Sequence, residues 1–287
     1  MIFYPIKFTP LYKYRIWGGN KLKTVLNKNY NQESIGESWE ISDVLGDETV
    51  VSEGPLKGKN IKELIRAFKG DIVHPGNEIA KERHNSFGKN EMWYVMEAEE
   101  DAELIVGFNQ KIDKESYIKA LESKKILEIL NNDKVTKGDS YYIPTGRIHA
   151  IGSGVLLAEI QQTSDITYRI YDYDEKRELH TDLAVDVIDY NAYDCYKTKH
   201  LKPDNETNKL IHTPYFKTNI LNIKGGQYKD YSGLDSFVIY ICVEGELELR
   251  CKGKGYSLTK GETLFLPALL DTIELKSKNA DVLEVYF

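Results

Sequence analysis

Gly138-Asp139-Ser140-Tyr141-Tyr142-Ile143-Pro144-Thr145-Gly146-Arg147-Ile148-His149 is the stretch whose reading decides the fold. It has the form G-x5-P-x-G-x2-H. Its alternating apolar residues read as a strand running into a turn. Pro144 and Gly146 make that turn, the glycine being free to take φ > 0. His149 opens the next apolar run, Ala150-Ile151, ahead of Gly152 and Gly154. A histidine held at the start of a strand beside a tight turn is well placed to ligate a metal at a barrel mouth.

Upstream stand two possible partners, His74 in Val73-His74-Pro75 and Glu91 in Gly88-Lys89-Asn90-Glu91-Met92. Two histidines and a carboxylate suit a divalent first-row metal with an open position, and zinc suits both ligand types. Each residue alone has a plainer reading, since a lone histidine is more often a surface or core residue. Downstream, Leu157 to Asp172 is dense in polar groups directly after an apolar strand. Glu159 and Gln161 share one face of it. Arg169 lies among aromatic residues, where a guanidinium can bind phosphate or stabilise an oxyanion. An ion pair with Asp165 or Asp172 is the competing reading. Lys89 and Arg147 add positive charge near the proposed site, which suits an anionic substrate.

The surrounding chain reads as mainly β with small helical insertions. Residues 1–55 hold short strands and turns, with Trp17-Gly18-Gly19 read as a turn. Along 35–42, Gly36, Ser38, Glu40 and Ser42 share one face and Glu37, Trp39 and Ile41 the other. Trp17 and Trp39 read as packing residues or as the lining of a sugar cleft. Asn60 to Lys69 reads as an amphipathic helix capped by Asn60. Met92–Glu97 and Ala102–Gly107 read as a hairpin around Glu99-Glu100-Asp101. Residues 113–132 switch to helical spacing, and Thr181 to Tyr190 reads as a short helix.

Residues 216–287 read as β throughout, and they repeat the earlier signatures in order. Phe237 to Leu249 resembles Met92 to Val106. Lys260-Gly261-Glu262-Thr263-Leu264-Phe265-Leu266-Pro267 resembles Lys137 to Pro144. Such a repeat predicts two related antiparallel β-barrels or jelly rolls, the first metal-binding and the second degenerate, because Pro267 is followed by no Gly-x2-His. The expected division is a metal-binding catalytic domain over 1–190, a connecting segment over 191–215 and a degenerate domain over 216–287.

Bulk properties narrow the function classes. A formal net charge of −7 argues against nucleic acid as a partner. Three cysteines with no C-x-x-C indicate neither a disulfide framework nor a thiolate zinc site. The start of the chain lacks the charged and apolar regions of a signal peptide. No apolar run reaches the roughly 18 residues of a membrane span. The expectation is a cytoplasmic protein, monomer or homodimer, with no membrane partner.

The longer strings carry a resemblance. Trp17-Gly-Gly, Gly36-Glu-Ser-Trp-Glu, His74-Pro-Gly-Asn-Glu, Gly88-Lys-Asn-Glu-Met-Trp-Tyr, Ile143-Pro-Thr-Gly-Arg-Ile-His-Ala and Glu159 through Asp172 together resemble the type I mannose-6-phosphate isomerase family in its short bacterial form. That family belongs to the cupin superfamily, and the resemblance spans the chain in order. It implies that the two barrels are cupin-type jelly-roll barrels. It implies an aldose–ketose isomerase acting on a small phosphorylated sugar through a metal-stabilised cis-enediol, with one zinc per chain. It implies His74, Glu91 and His149 as metal ligands, and Arg169, Glu159 and Lys89 as catalytic residues. Trp17 would lie near the substrate, with Arg147 as a further substrate-binding candidate. One departure is that Ile72 stands where the family usually carries a glutamine that often ligates the metal. The passage from Lys69 to His74 is also shorter than the family's, as is the loop after Asp174. The competing class is a non-catalytic sugar-binding or regulatory cupin. An iron-dependent oxygenase is a third reading, weakened because the family strings extend well beyond the ligands.

Overall fold

A computed structural model describes residues 4–68, 88–164, 166–172 and 177–287. The protein is mainly β. Its described residues divide into two compact units, 4–68 with 200–287 and 88–199. This division differs from the one expected at 1–190 and 216–287. The reason is a shared core. Ile6, Phe8, Val51 and Leu64 from the N-terminal segment pack with Phe265 from the C-terminal strands. Ile6 and Phe265 also exchange backbone hydrogen bonds at 2.8 and 2.9 Å.

The N-terminal segment pairs β1 (Phe8–Thr9) and, after β2 (Leu11–Gly19) and β3 (Ile35–Trp39), β4 (Val50–Val51). β2 pairs antiparallel with β3. The expected turn at Trp17-Gly18-Gly19 is therefore the end of a strand. A Cβ on Gly18 would sit 2.2 Å from the Ser34 carbonyl oxygen, so only glycine permits that approach. Helix α1 spans Lys21–Thr24 and α2 spans Ile61–Phe68. The Asn60 cap is present. Glu63 N–H donates to Asn60 Oδ1 and Asn60 N–H to Glu63 Oε2, both at 2.9 Å, a reciprocal capping box.

The middle unit holds two three-stranded antiparallel sheets. One has β5 (Glu91–Ala98) at its centre, between β8 (Ser140–Ile143) and β10 (Val155–Gln161). The other has β6 (Glu103–Phe108) between β7 (Leu130–Lys134) and β9 (His149–Ile151). Trp93, Val95 and Tyr141 of the first sheet share one core with Leu104 and Val106 of the second. Helix α3 (Lys114–Glu122) and a 3-10 turn (Ile126–Ile129) lie between β6 and β7, and α4 covers only Thr181–Ala184.

The C-terminal strands are β11 (Thr207–His212), β12 (Lys217–Asp230), β13 (Val238–Cys251), β14 (Lys254–Thr259), β15 (Thr263–Leu266) and β16 (Thr272–Tyr286). They form one six-stranded sheet in which β15 pairs with β13. Strand β11 lies in the stretch expected as a plain connection. Its Leu210 and Ile211 are the apolar pair that a mostly polar segment conceals. The three cysteines are free. Among the described residues no helix is long and apolar enough to cross a membrane.

The repeat is visible in the registers. Glu159, Trp93 and Tyr141 form a row across β10, β5 and β8. Glu284, Tyr240 and Leu264 form the corresponding row across β16, β13 and β15. One row on, Gln161, Glu91 and Ile143 correspond to Tyr286, Val238 and Leu266. Val238 thus stands where Glu91 stands, so the C-terminal strands carry no carboxylate at that position. The carboxylate position of Glu159, however, survives there as Glu284.

Candidate metal and active centre

Strand alternation builds the site. Glu91, Trp93 and Val95 point to one face of β5, and Gln161, Glu159 and Leu157 of β10 lie opposite them on that face. On the other sheet, His149 is the register partner of Val106, a core residue of the same interior. The interior is therefore apolar along Val95, Leu157 and Val106, and polar where Glu91, Glu159 and His149 meet.

There, Glu91 Oε1 and His149 Nε2 stand 2.9 Å apart. Lys89 Nζ forms a close ion pair with Glu91 Oε2 and lies 3.3 Å from Glu159 Oε1. Trp93 Nε1–H donates to Glu159 Oε2 at 3.0 Å, and its ring meets the His149 ring edge-on with centroids 5.3 Å apart. Trp93 and Asn90 are the residues that sequence reasoning passed over. Asn90 is buried, donates Nδ2–H to Gln162 Oε1 at 2.6 Å and accepts the Tyr142 hydroxyl at 3.0 Å, so it ties the Lys89–Glu91 segment to β8 and to the end of β10. A signal for both lay in the pattern. Met92 to Met96 is apolar at every position, which marks a strand buried on both faces and leaves polar neighbours in need of partners.

The donor set fits a divalent metal. His149 Nδ1 is 2.8 Å from the Arg147 carbonyl oxygen. A carbonyl only accepts, so Nδ1 carries the proton and Nε2 of the neutral ring carries a lone pair. Glu91 Oε1, facing it, is buried and accepts no hydrogen bond among the described residues. Two lone-pair atoms at that separation require a proton or a cation between them. Without a cation it is the proton of a charged His149: burial opposes charge on both residues, yet the charge of each on the other wins. Glu91 is held well below the usual carboxylate range by His149 and Lys89, and His149 is raised by Glu91. Burial and then the charge of Glu91 raise Glu159. Since Glu159 keeps 32% of its side-chain area accessible, the charge of Glu91 is the firmer cause. Lys89 is raised against burial by Glu159 and Glu91.

Among the described residues no group of three or more histidine, cysteine, aspartate or glutamate side chains is arranged to hold a metal ion. The third expected ligand, His74, lies outside the described residues.

Residues 205–286 match the family model of the mannose-6-phosphate isomerase cupin domain. Over 95% of its length the chain is 32% identical to mannose-6-phosphate isomerase ManA of Bacillus subtilis, covering 96% of that protein. The chain belongs to the mannose-6-phosphate isomerase family. The crystal structure of the Bacillus subtilis mannose 6-phosphate isomerase superposes with a TM-score of 0.88 at 30% identity, covering 99% of both chains. A zinc-bound mannose 6-phosphate isomerase shares the fold at a TM-score of 0.73 and 14% identity, with 98% of this chain and 99% of that one covered.

Within this family member, the structure brings together Lys89, Glu91, His149 and Glu159. It does not join the other expected site residues to them by hydrogen bonds. Arg169 donates Nη1–H to the Glu178 carbonyl at 3.1 Å and lies 3.8 Å from Asp172, whose firmer partner is Arg177. Trp17 is half-exposed on β2 in the other unit, its ring packed where a Cβ on Gly36 would intrude. Arg147 is the clearest difference. Its guanidinium is 3.2 Å from Asp189 and stacks over the rings of Tyr193 and Tyr196 at 4.4 and 5.1 Å. Only 11% of that side chain is accessible, so it is engaged by protein rather than held out to an anion.

Proposed function

We propose that this protein interconverts D-mannose 6-phosphate and D-fructose 6-phosphate, with zinc as its working ion. The observation that carries this reading is the polar end of the barrel interior. Four ionisable side chains converge there, on the motif positions that the family strings supply. His149 Nε2 and Glu91 Oε1, with His74, are the donors for the ion. When bound, zinc supplies Lewis-acid polarisation of the sugar's carbonyl and hydroxyl oxygens. The described pair and the fixed Nδ1–H tautomer support that assignment.

The isomerisation takes a proton from C2 of the aldose and returns it to C1 of the ketose, while one proton passes from O2 to O1. A cis-enediol links the two. Glu159 and Lys89 form an acid–base couple at the site, hydrogen-bonded at 3.3 Å, and either can carry the mobile proton. Trp93 holds the second oxygen of Glu159, which leaves Oε1 toward Lys89 and the interior. Arg169 is assigned to stabilising negative charge on the sugar phosphate or the enediolate. Trp17 is assigned to the sugar-binding side. Charge on Lys89 offsets the acidic average of the chain for an anionic substrate.

Conversion in deuterated water tests the reaction type. Proton transfer through an enediol puts solvent deuterium into the C1 or C2 position, read by proton NMR of the products. Folded, zinc-loaded protein that leaves mannose 6-phosphate unchanged contradicts the isomerase reading and favours a binding cupin.

A further inference from the structure

We propose that Arg147 is a positioning residue for the metal ligand His149, not a substrate contact. The inference rests on the metal reading above. It starts from the turn. Arg147 N–H donates to the Pro144 carbonyl at 3.1 Å, and Gly146 takes φ 86°, as the third residue of a type II turn requires. A Cβ on Gly146 would lie 2.3 Å from the Val187 carbonyl oxygen, and Asp189 N–H donates to the Gly146 carbonyl at 2.9 Å. The turn is thus clamped to the 187–189 backbone.

The side chain of Arg147 completes the clamp. Asp189 Oδ2 takes both the guanidinium at 3.2 Å and the Tyr193 hydroxyl at 3.0 Å, while Oδ1 takes the backbone and side-chain N–H of Asn191. Tyr196, over which Arg147 stacks, is itself anchored to β6. Its hydroxyl donates to the Phe108 carbonyl at 2.8 Å and accepts Phe108 N–H at 3.1 Å. A Cβ on Gly107 would strike the Tyr196 ring at 2.5 Å, so ring and strand are in close contact. Strand β6 also carries Val106, the register partner of His149. One rigid loop of contacts therefore runs from β6 through Tyr196 to Arg147, and from the Arg147 carbonyl to His149 Nδ1.

That carbonyl sets two properties of the ligand. It keeps the proton on Nδ1, which leaves Nε2 free to coordinate, and it fixes the ring plane toward Glu91. Loosening Arg147 lets the carbonyl rotate, and both are lost together.

The test separates positioning from substrate binding. Zinc affinity is measured by competition with a chromophoric chelator, beside KM for mannose 6-phosphate, in Arg147→Ala, Arg147→Lys and Asp189→Asn. Positioning predicts a loss of zinc affinity of about tenfold to a hundredfold in Arg147→Ala. Arg147→Lys keeps the charge but not the planar stack, so it is not rescued. Asp189→Asn shifts zinc affinity in the same direction, with KM of the zinc-saturated enzyme within about twofold of wild type throughout. An unchanged zinc affinity with KM raised in Arg147→Ala and restored in Arg147→Lys overturns the proposal. A lowered melting temperature with unchanged zinc affinity overturns it equally. If Arg147→Ala does not fold, Asp189→Asn carries the same two outcomes. Failure of the isomerase reading shows separately, as absent turnover in zinc-loaded wild type.

Discussion

At the scale of the residue, the site depends on pairs of groups that make opposite demands. Glu91 and Glu159 lie on one interior face, yet Lys89 and His149 hold the first charged while burial and that charge raise the second. Two carboxylates in unlike environments take unlike roles. Glu159→Gln keeps the shape but not the titratable group. If Glu159 moves the proton, kcat falls by about 10²–10⁴-fold while zinc affinity holds. A kcat within a few fold of wild type instead assigns the proton to Lys89. Trp93→Phe keeps the edge contact with His149 and deletes the bond to Glu159. Its expected effect is a tenfold drop in kcat, about 1.4 kcal/mol, at unchanged KM. In a Glu159→Gln background the same change should add almost nothing, and full additivity would contradict the coupling. His149 stands out in the sequence through the G-x5-P-x-G-x2-H spacing and Glu91 as an upstream carboxylate. Lys89 is visible only as a nearby charge and Glu159 as one face of a strand, their catalytic roles coming from the resemblance. Trp93 and Asn90 were hidden, one inside an apolar run and the other between two conspicuous charges. For Arg147, nearness in sequence to His149 says nothing of the direction in which a long side chain leaves a turn, and here it leaves toward Asp189, Tyr193 and Tyr196.

At the scale of the element, period and punctuation carried most of the architecture. The hairpin expected around Glu99-Glu100-Asp101 does not form: β5 and β6 are joined by that turn, where Asp101 adopts φ 62°, but β5 pairs with β8 and β10 while β6 pairs with β7 and β9 in the other sheet. The one or two helices expected in 113–132 are α3 and the 3-10 turn, with Asp113 accepting Ser116 N–H at 2.8 Å as an N-cap. Strand β7 escaped notice because Asn131, Asn132 and Asp133 are poor strand formers, and pairing with β6 overrides that preference. Helix α4 stops at Ala184, short of the expected end near Tyr190, where Asp189 turns away to bond Gly146. The capping box on α2 gives a simple stability test. Asn60→Ala should cost about 1 kcal/mol in urea unfolding, and a change near zero would show that the box contributes nothing there.

At the scale of the whole molecule, the chain repeats one strand frame and fills it differently. In the middle unit the row Glu159–Trp93 faces Glu91 and His149, the pair proposed to hold the metal. In the C-terminal unit the same row is Glu284–Tyr240, where Val238 replaces Glu91 and the carboxylate is spent on structure. Glu284 accepts hydroxyls from Tyr231 and Tyr240, takes Asn219 Nδ2–H at 2.8 Å, and pairs with Lys229 at 2.8 Å in a nearly closed interior. Removing it strands a lysine and two hydroxyls. Glu284→Ala should therefore destabilise by about 3–5 kcal/mol in urea titration, with zinc affinity of the folded protein unchanged. A negligible loss would mean that the network relaxes onto water. The sequence made the repeat legible through its Lys-Gly-acid and Pro spacing. It did not reveal that N-terminal strands complete the C-terminal core, since the pairing of Ile6 with Phe265 joins the two ends of the chain and leaves no local pattern.

The central claim is that a metal held by Glu91 and His149 makes this protein an isomerase. Its most direct test is a coupled assay of mannose 6-phosphate conversion to fructose 6-phosphate, on wild type and His149→Ala, before chelation, after it and after zinc return. The account predicts wild-type activity that vanishes on chelation and returns with stoichiometric zinc, and His149→Ala that stays inactive at the same zinc concentration while remaining folded. Chelated wild type that retains full activity, or His149→Ala that is restored by the same zinc, would contradict it.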